Sequence, residues 1–448
     1  MTIDTTTPAV VLTLSRNTTQ HGELGAIRSL GRLGVPVYAV HAQALAPAAR
    51  SRYLKGRWRP ATDGVEALQK GLATLAERIG KRSVLIPTDN AAAIFLAEHG
   101  APLREWFQFS DPPRDLPRRL AGRFTLHQLC RELNVPSVLA ELPGSLAEAQ
   151  AFADLVGFPL IAKLATPWLA NNGNARPDTS VLRTRDDLSR AFQADTAPEN
   201  ALLLQEYIPR CPSQDYFFHG YCDAGSRCTP GFVGITERSY PAHAGLTSLG
   251  RWVDNTALHE QATDLVTRLG FQGILDLEYR WDPRDGQYKL MNFSPRLGAQ
   301  FRLFSDGAGV DVVVAAHLDL TGRPISAGAP LTGRRFLVEN YDPIAALGYR
   351  RSGELSLLSW VMSLRLVDEV AWFARDDLAP FGLMCLRSGA RALSRSITRG
   401  LPRLPHLARF QPITTSPITE SPITKSPAPS RSLQPQSESL QEAFPLPV

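Results

Sequence analysis

Apolar and polar positions follow two different periods along this chain, and the change of period divides it. In the first third, short apolar runs alternate with stretches of helical spacing. Val10–Leu14 reads as a buried strand and His21–Leu33 as a helix with Leu24, Ile27 and Leu30 on one side. Val35–Val40 follows the Gly34 stop signal as a second strand, Gly64–Ile79 is helical, and Ser83–Ile86 is a third strand. Asn90–Glu98 reads as a short helix capped by Asn90. Such repeated strand–helix units predict an open parallel sheet covered by helices.

After the proline cluster Asp111-Pro112-Pro113-Arg114-Asp115-Leu116-Pro117 the pattern becomes mixed. Arg123–Leu133 and Ser145–Leu155 predict helices, and Pro159–Leu164 a strand. A polar loop, Ala170–Asp178, then leads to strands at Ser180–Leu182, Leu202–Ile208 and Asp215–Cys222. The helix Asn255–Leu269 feeds a hairpin, and Val310–Leu318 is a helix after it. Beyond Arg334 the expectation is mainly helical, with Trp360, Leu364, Val367 and Val370 forming an apolar stripe and a basic run, Arg387–Arg409, that frays. From Gln411 prolines recur every five residues (Pro412, Pro417, Pro422, Pro427), a low-complexity pattern that predicts a disordered tail. The fold class is therefore α/β and α+β multidomain, with expected divisions at 1–112, 113–330, 331–400 and 401–448.

The hairpin carries the densest chemistry. In the run from Gly270, GFQGILDLEYRWDPRDGQYKLMNFSPRLGAQF, alternation places Asp276 and Glu278 on one strand face. Asp282-Pro283-Arg284-Asp285-Gly286 is a turn signal. On the returning strand Asn292, Ser294 and Arg296 share a face, with Asn292 close to Glu278 across the pair. Hard oxygen donors beside a guanidinium suit a polyphosphate held through divalent cations. A hairpin with one wet face accounts for the same pattern equally simply.

Composition changes the picture little. A chain of 448 residues with 44% hydrophobic and 20% charged residues is an ordinary soluble globular protein, and a net charge of +5 is no nucleic-acid footprint. The five cysteines (Cys130, Cys211, Cys222, Cys228, Cys385) read as free thiols. No basic leader and no run of 18 apolar residues is present, so no membrane contact and a cytoplasmic location are expected. The first strand–helix junction lacks GxGxxG, which argues against dinucleotide binding.

Taken in order, GELGAIRSLGRLGVPVYAV, SRYLKGRW, IPTDN, FPLIAKLA, LLLQEYIP, DYFFHGY and NFSPRLGAQ resemble the ATP-grasp superfamily from Val10 to Pro324. The likeness is to its carboxylate–amine ligases of the D-aspartate ligase and carbamoyl-phosphate synthase kind. It implies an ATP-grasp fold behind an amino-terminal parallel-sheet domain, with ATP and Mg²⁺ (Mn²⁺ as an alternative) as cofactors. Small carboxylate and amine substrates, such as an amino acid, would be the partners, without nucleic acid, and such ligases are often homodimers. Lys163 falls on the lysine that meets the α- and β-phosphates, and Ala170–Asp178 on the flap over them. Gln205, Glu206, Tyr207 and Ile208 fall on the adenine-reading hinge, and Asp215 near the ribose acid. Glu278, Asn292 and Ser294, with Asp276 in reserve, fall on the metal ligands, and Arg296 on the catalytic arginine.

Three matched positions depart from the family. Gly122-Arg123 stands where members often carry Asp-Lys, with Arg123 keeping the phosphate-binding charge. Asn292 and Ser294 stand where an acid and then Asn are usual. An amide cannot bridge two cations as a carboxylate does. The resemblance therefore implies an ADP-forming ligase with an acyl-phosphate intermediate. The altered pair keeps a weakened or inactive nucleotide-binding scaffold as the alternative.

Overall fold

The computed structural model describes residues 2–15, 21–41, 46–59, 64–166, 179–193, 201–209, 211, 213–243, 245–326 and 328–400, with side chains to 390. Residues 1–395 form one compact unit. Its first sheet is parallel and consists of β1 (Ala9–Thr13), β2 (Val37–His41), β3 (Leu54–Trp58), β4 (Ser83–Pro87) and β5 (Phe107–Gln108), in the order β3-β2-β1-β4-β5. All five residues of β1 are buried, which explains its uninterrupted apolar sequence. The order reverses between β1 and β4, where open α/β sheets form a crevice. Here Asp89 enters it: its carboxylate accepts the N–H groups of Leu14 and Ser15 at 2.7 and 2.8 Å. Burial raises the pKa of this carboxyl above its ordinary range, opposed by the backbone N–H groups it accepts. Asp89 also caps the helix Asn90–His99 by accepting Ala92 N–H at 2.8 Å, so the cap is Asp89 and not Asn90.

A second, antiparallel sheet contains β6 (Ala140–Glu141), β7 (Leu160–Leu164), β8 (Thr179–Leu182) and β9 (Leu202–Glu206), in the order β6-β9-β7-β8. Helices Leu146–Val156 and Arg185–Gln193 cover it, the former capped by Ser145.

The third sheet is formed by β10 (Asp215–Cys222), β11 (Cys228–Tyr240), β12 (Leu246–Trp252), β13 (Gly273–Asp282), β14 (Gln287–Ser294), β15 (Arg335–Leu337) and β16 (Glu369–Val370). Their order is β14-β13-β10-β11-β12-β15-β16. One face, with Phe218, Leu275, Leu277, Tyr279 and Phe293, packs on the helices Arg123–Glu132 and Thr256–Leu269. On the other, Phe217, Trp252, Phe304 and Phe336 share a single core with Val11, Leu24 and Ile27 of the parallel-sheet layer and with helix Val312–Leu320.

The region beyond Arg334 differs from its expectation. The helix over Trp360 runs only from Leu357 to Leu364, Val367 lies past its end, and Val370 is in β16, so no four-residue apolar stripe forms. Asp368 and Glu369 interrupt the helical pattern, and β16 pairs parallel to β15. The basic run does not fray at Arg387: helix Ala379–Gly400 carries its first part, and residues 401–409 lie outside the described residues. All five cysteines are free, and no helix among the described residues is long and apolar enough to cross a membrane.

Candidate functional site

The hairpin forms with the register that alternation implies: Glu278 lies opposite Asn292 and Asp276 opposite Ser294. Asp282 makes the turn by accepting Arg284 N–H at 3.0 Å, and Gly286 closes it with φ +67°. On the inner side, β10 pairs with β13 so that Asp215, Phe217 and His219 stand beside Arg280, Glu278 and Asp276. The Phe217 ring needs glycine on the next strand, since a Cβ at Gly234 would come within 2.4 Å of it.

Three positive side chains act on Glu278. Lys163 contributes most, followed by Arg296 and Arg123. Lys163 comes from β7, and Arg123 starts its helix beside the end of that strand, donating to Leu164 O at 2.8 Å. Arg296 follows β14 and donates to Asp276 Oδ2 at 3.2 Å and to its neighbour's carbonyl, Leu297 O, at 2.7 Å. Glu278 is exposed. The protein around it and then the Asp276 charge nevertheless raise its pKa above the ordinary range, against those three cations. Burial likewise raises Asp276, opposed by Arg296.

His219 belongs to this cluster although no motif singled it out. It is fully buried, its Nε2 lies 3.6 Å from Asp276 Oδ1, and neither ring nitrogen has a hydrogen-bond partner. Burial, and then Arg296, push its pKa down to about 3, so the ring is neutral. Its position in β10, two residues from Phe217 and four from Asp215, was the available signal: alternation puts all three on one face.

The remaining expected residues are placed differently. Glu206 ends β9 at the start of the connection between the second and third sheets, but its carboxylate is engaged. Oε1 accepts Leu139 N–H at 3.0 Å and lies 3.8 Å from Lys289 Nζ, while Oε2 pairs with Arg284 at 2.8 Å. Gln205 is buried, its Oε1 without a partner; Tyr207 is half-buried and Ile208 buried. Asp215 receives Arg280 Nε at 2.6 Å and lines a polar cavity of about 330 Å³ with Thr236, Arg238, His243 and Tyr349. The flap, Ala170–Asp178, lies outside the described residues.

A divalent cation would find hard oxygens here: two carboxylates, the Asn292 amide and the Ser294 hydroxyl. Among the described residues no group of three or more His, Cys, Asp or Glu side chains is arranged to hold a metal. The donor set fits Mg²⁺ only as a partial site whose remaining ligands come from phosphate and water.

Comparison with solved structures identifies the architecture. A Staphylococcus aureus N5-carboxyaminoimidazole synthetase complexed with ADP matches with a TM-score of 0.56, covering 73% of this chain and 80% of that one at 13% identity. The Hydrogenobacter thermophilus 2-oxoglutarate carboxylase biotin carboxylase domain dimer, in complex with MgADP, ADP and bicarbonate, matches at 0.54, covering 73% of each chain at 14% identity. The fold is ATP-grasp. No family model matches. Among curated proteins, D-aspartate ligase of Enterococcus faecium is 23% identical over 236 residues, 49% of this chain and 54% of that one. The carbamoyl phosphate synthase large chain, C-terminal section, of Methanopyrus kandleri is 22% identical over 217 residues, 46% of this chain and 38% of that one. This ATP-grasp chain thus spans about half or less of the length of the curated relatives it matches.

Proposed function

We propose that this chain is an ATP-dependent ligase joining a small carboxylate, such as an amino acid, to an amine. The observation that carries the reading is the convergence on Glu278 of Lys163, from the second sheet, with Arg296, which follows the third sheet, and Arg123, which starts a helix packed on the third sheet. A triphosphate laid between the layers meets cations from both sides, and the acids opposite supply oxygens for Mg²⁺ or Mn²⁺. Resemblance to D-aspartate ligase supports the same chemistry.

In this reading a substrate carboxylate oxygen attacks the γ-phosphorus and ADP leaves, giving an acyl-phosphate. The amine nitrogen then attacks the acyl carbon, phosphate leaves, and the amide forms with loss of a proton. Lys163 and Arg123 hold phosphate oxygens, while Arg296, fixed by Asp276, faces the charge that develops on the transferring group. Glu278, Asp276, Asn292 and Ser294 would hold the cation, which neutralises phosphate charge when bound. No side-chain nucleophile is required, because positioning and charge neutralisation carry the step.

Asn292 favours a second reading, a nucleotide-binding scaffold of weakened activity. It puts a neutral amide directly opposite Glu278. One experiment separates the two: nucleotide affinity is measured by calorimetry with and without Mg²⁺, followed by ADP release across an amino-acid and amine screen. The ligase reading expects Mg-dependent binding and ADP release with one carboxylate–amine pair, and roughly 10- to 100-fold tighter metal-dependent binding in Asn292→Asp. Mg-ATP binding with no ADP release from either protein would leave the scaffold.

A further inference from the structure

Two of the five cysteines meet at one end of the third sheet. β10 ends at Cys222, β11 begins at Cys228, and the two residues face each other across the antiparallel pair. The Cys222 S–H donates to Cys228 Sγ at 2.8 Å. The turn between them, Asp223 to Arg227, holds this opposition in place. Asp223 N–H donates to Arg227 O at 3.1 Å. The Asp223 carboxylate accepts the N–H groups of Gly225 and Arg227 at 2.8 and 3.0 Å, and Arg227 Nε at 3.0 Å. Gln272 fastens the turn from outside by donating to Ala224 O at 3.1 Å. Gly220 leaves room for the second thiol, since a Cβ there would lie 2.5 Å from Cys228 Sγ.

The two thiols differ in access. Cys222 is buried in the core shared with helix Thr256–Leu269, whereas Cys228 is only partly buried against it. Burial, and then the Cys228 thiol, raise the pKa of Cys222 above the ordinary thiol range, so its sulfur keeps its proton at neutral pH. A reagent in solution therefore reaches Cys228 first and finds Cys222 in contact with it. An accessible thiol with a resolving thiol beside it is what disulfide exchange requires. One small apolar residue would serve the packing at either position, but only two opposed sulfurs permit a bond between the strands. The pair lies on the face of β10 turned away from Phe217 and Tyr221, in a different core from theirs, so its chemistry does not depend on the cleft.

We infer that Cys222 and Cys228 form a redox modification site, closing to a reversible disulfide by exchange with a low-molecular-weight disulfide. The Cys228 thiolate attacks one sulfur of the small disulfide, whose S–S bond breaks and releases one thiolate. Cys222 then gives up its proton as its sulfur attacks Cys228 Sγ, and the second small thiol leaves. Two protein thiols and one small disulfide become one protein disulfide and two small thiols. The protein is oxidised by two electrons, the small disulfide is reduced by two, and both thiol protons end on the released thiols.

Equilibration of the folded full-length protein with mixtures of glutathione and glutathione disulfide tests this. Samples are quenched in acid, unfolded, alkylated and mapped by mass spectrometry after trypsin, which cuts between Arg227 and Cys228. In the oxidising mixtures the peptide starting at Cys228 should stay joined to the one carrying Cys222, and dithiothreitol should separate them. That second peptide also carries Cys211, so the join should persist in Cys211→Ser. Cys222→Ala, in which nothing resolves the first step, should instead accumulate glutathione on Cys228 at least about tenfold above wild type. The wild-type and Cys211→Ser maps decide even where Cys222→Ala folds poorly. Cys222 and Cys228 both alkylated across the whole series would overturn the inference. So would glutathione resting on wild-type Cys228 without a join, loss of the join in Cys211→Ser, or a join that forms only when urea is present during equilibration.

Discussion

Individual buried groups in this protein carry measurable consequences for its pH response. His21 is buried, stacks at 5.8 Å on Phe336 and meets Trp372 edge-on at 6.0 Å, and neither nitrogen has a partner. Burial alone holds its pKa down to about 4. In the unfolded chain the ring accepts a proton below about pH 6.5. In the fold it does not until about pH 4. The stability contribution is therefore complete above the unfolded pKa and is lost as pH falls toward the folded one, at about 1.4 kcal/mol per pH unit. His21→Phe, which keeps a ring between two aromatic neighbours, should remove that slope. Urea unfolding of both proteins between pH 7 and 4.5 checks it: parallel pH profiles would count against a neutral buried His21. The candidate site shows the same limit of sequence reading at this scale. Glu206 reads as an acid at a hinge, whereas its partners Arg284 and Lys289 lie far along the chain and only the folded sheet brings them to it.

At the scale of elements, what the sequence reveals depends on how local the determinant is. The β13–β14 hairpin was legible because alternation and an Asp-Pro-x-x-Gly turn act within twenty residues. β11 and β12 escaped notice because Pro230, Gly231, Gly234 and Gly250 break the apolar pattern. Two of those glycines are there for the Phe217 ring of the neighbouring strand, which lies over Gly234 and reaches Gly250. β3 was missed for another reason: Leu54, Gly56 and Trp58 alternate with charged residues in an edge strand. The segment after the hairpin is equally a matter of fit. A Cβ at Gly298 would lie 1.9 Å from His219 Cε1 and 2.9 Å from Asp276 Cγ, both atoms of buried side chains. Gly298→Ala should therefore cost about 1–3 kcal/mol in urea unfolding. Because His219 and Asp276 must shift, and Arg296 with them, Mg-dependent nucleotide affinity should fall in the same variant. A stability loss with unchanged affinity would separate this contact from the site.

On the scale of the whole molecule, residues distant in sequence are fastened through charge as well as through the shared core. Arg28, in helix Gly22–Arg32, is buried beneath the carboxy-terminal region. It donates to Asp377 Oδ2 at 3.0 Å and to the carbonyls of Trp372 and Asp377 at 2.8 and 2.9 Å. Asp377 also accepts from Ser51 Oγ at 2.7 Å and Arg52 N–H at 2.9 Å. Nearby, Arg32 and Tyr53 both donate to Asp376. Nothing local in either segment announces this clamp, since its partners are more than 300 residues apart. Its two charges are fully removed from water, so the pair is sensitive to loss of one member rather than of both. Arg28→Ala leaves Asp377 buried and unpaired, and should destabilise the chain by about 3–5 kcal/mol. Arg28→Met with Asp377→Leu, which removes both charges, should recover much of that loss. Because the same core contains β1, the sheet face around Phe217 and Trp372, unfolding of Arg28→Ala should also remain one transition, with aromatic and helical signals moving together. A separate early transition confined to the aromatic signal would mean that the carboxy-terminal region detaches on its own and that the clamp does not hold the layers together.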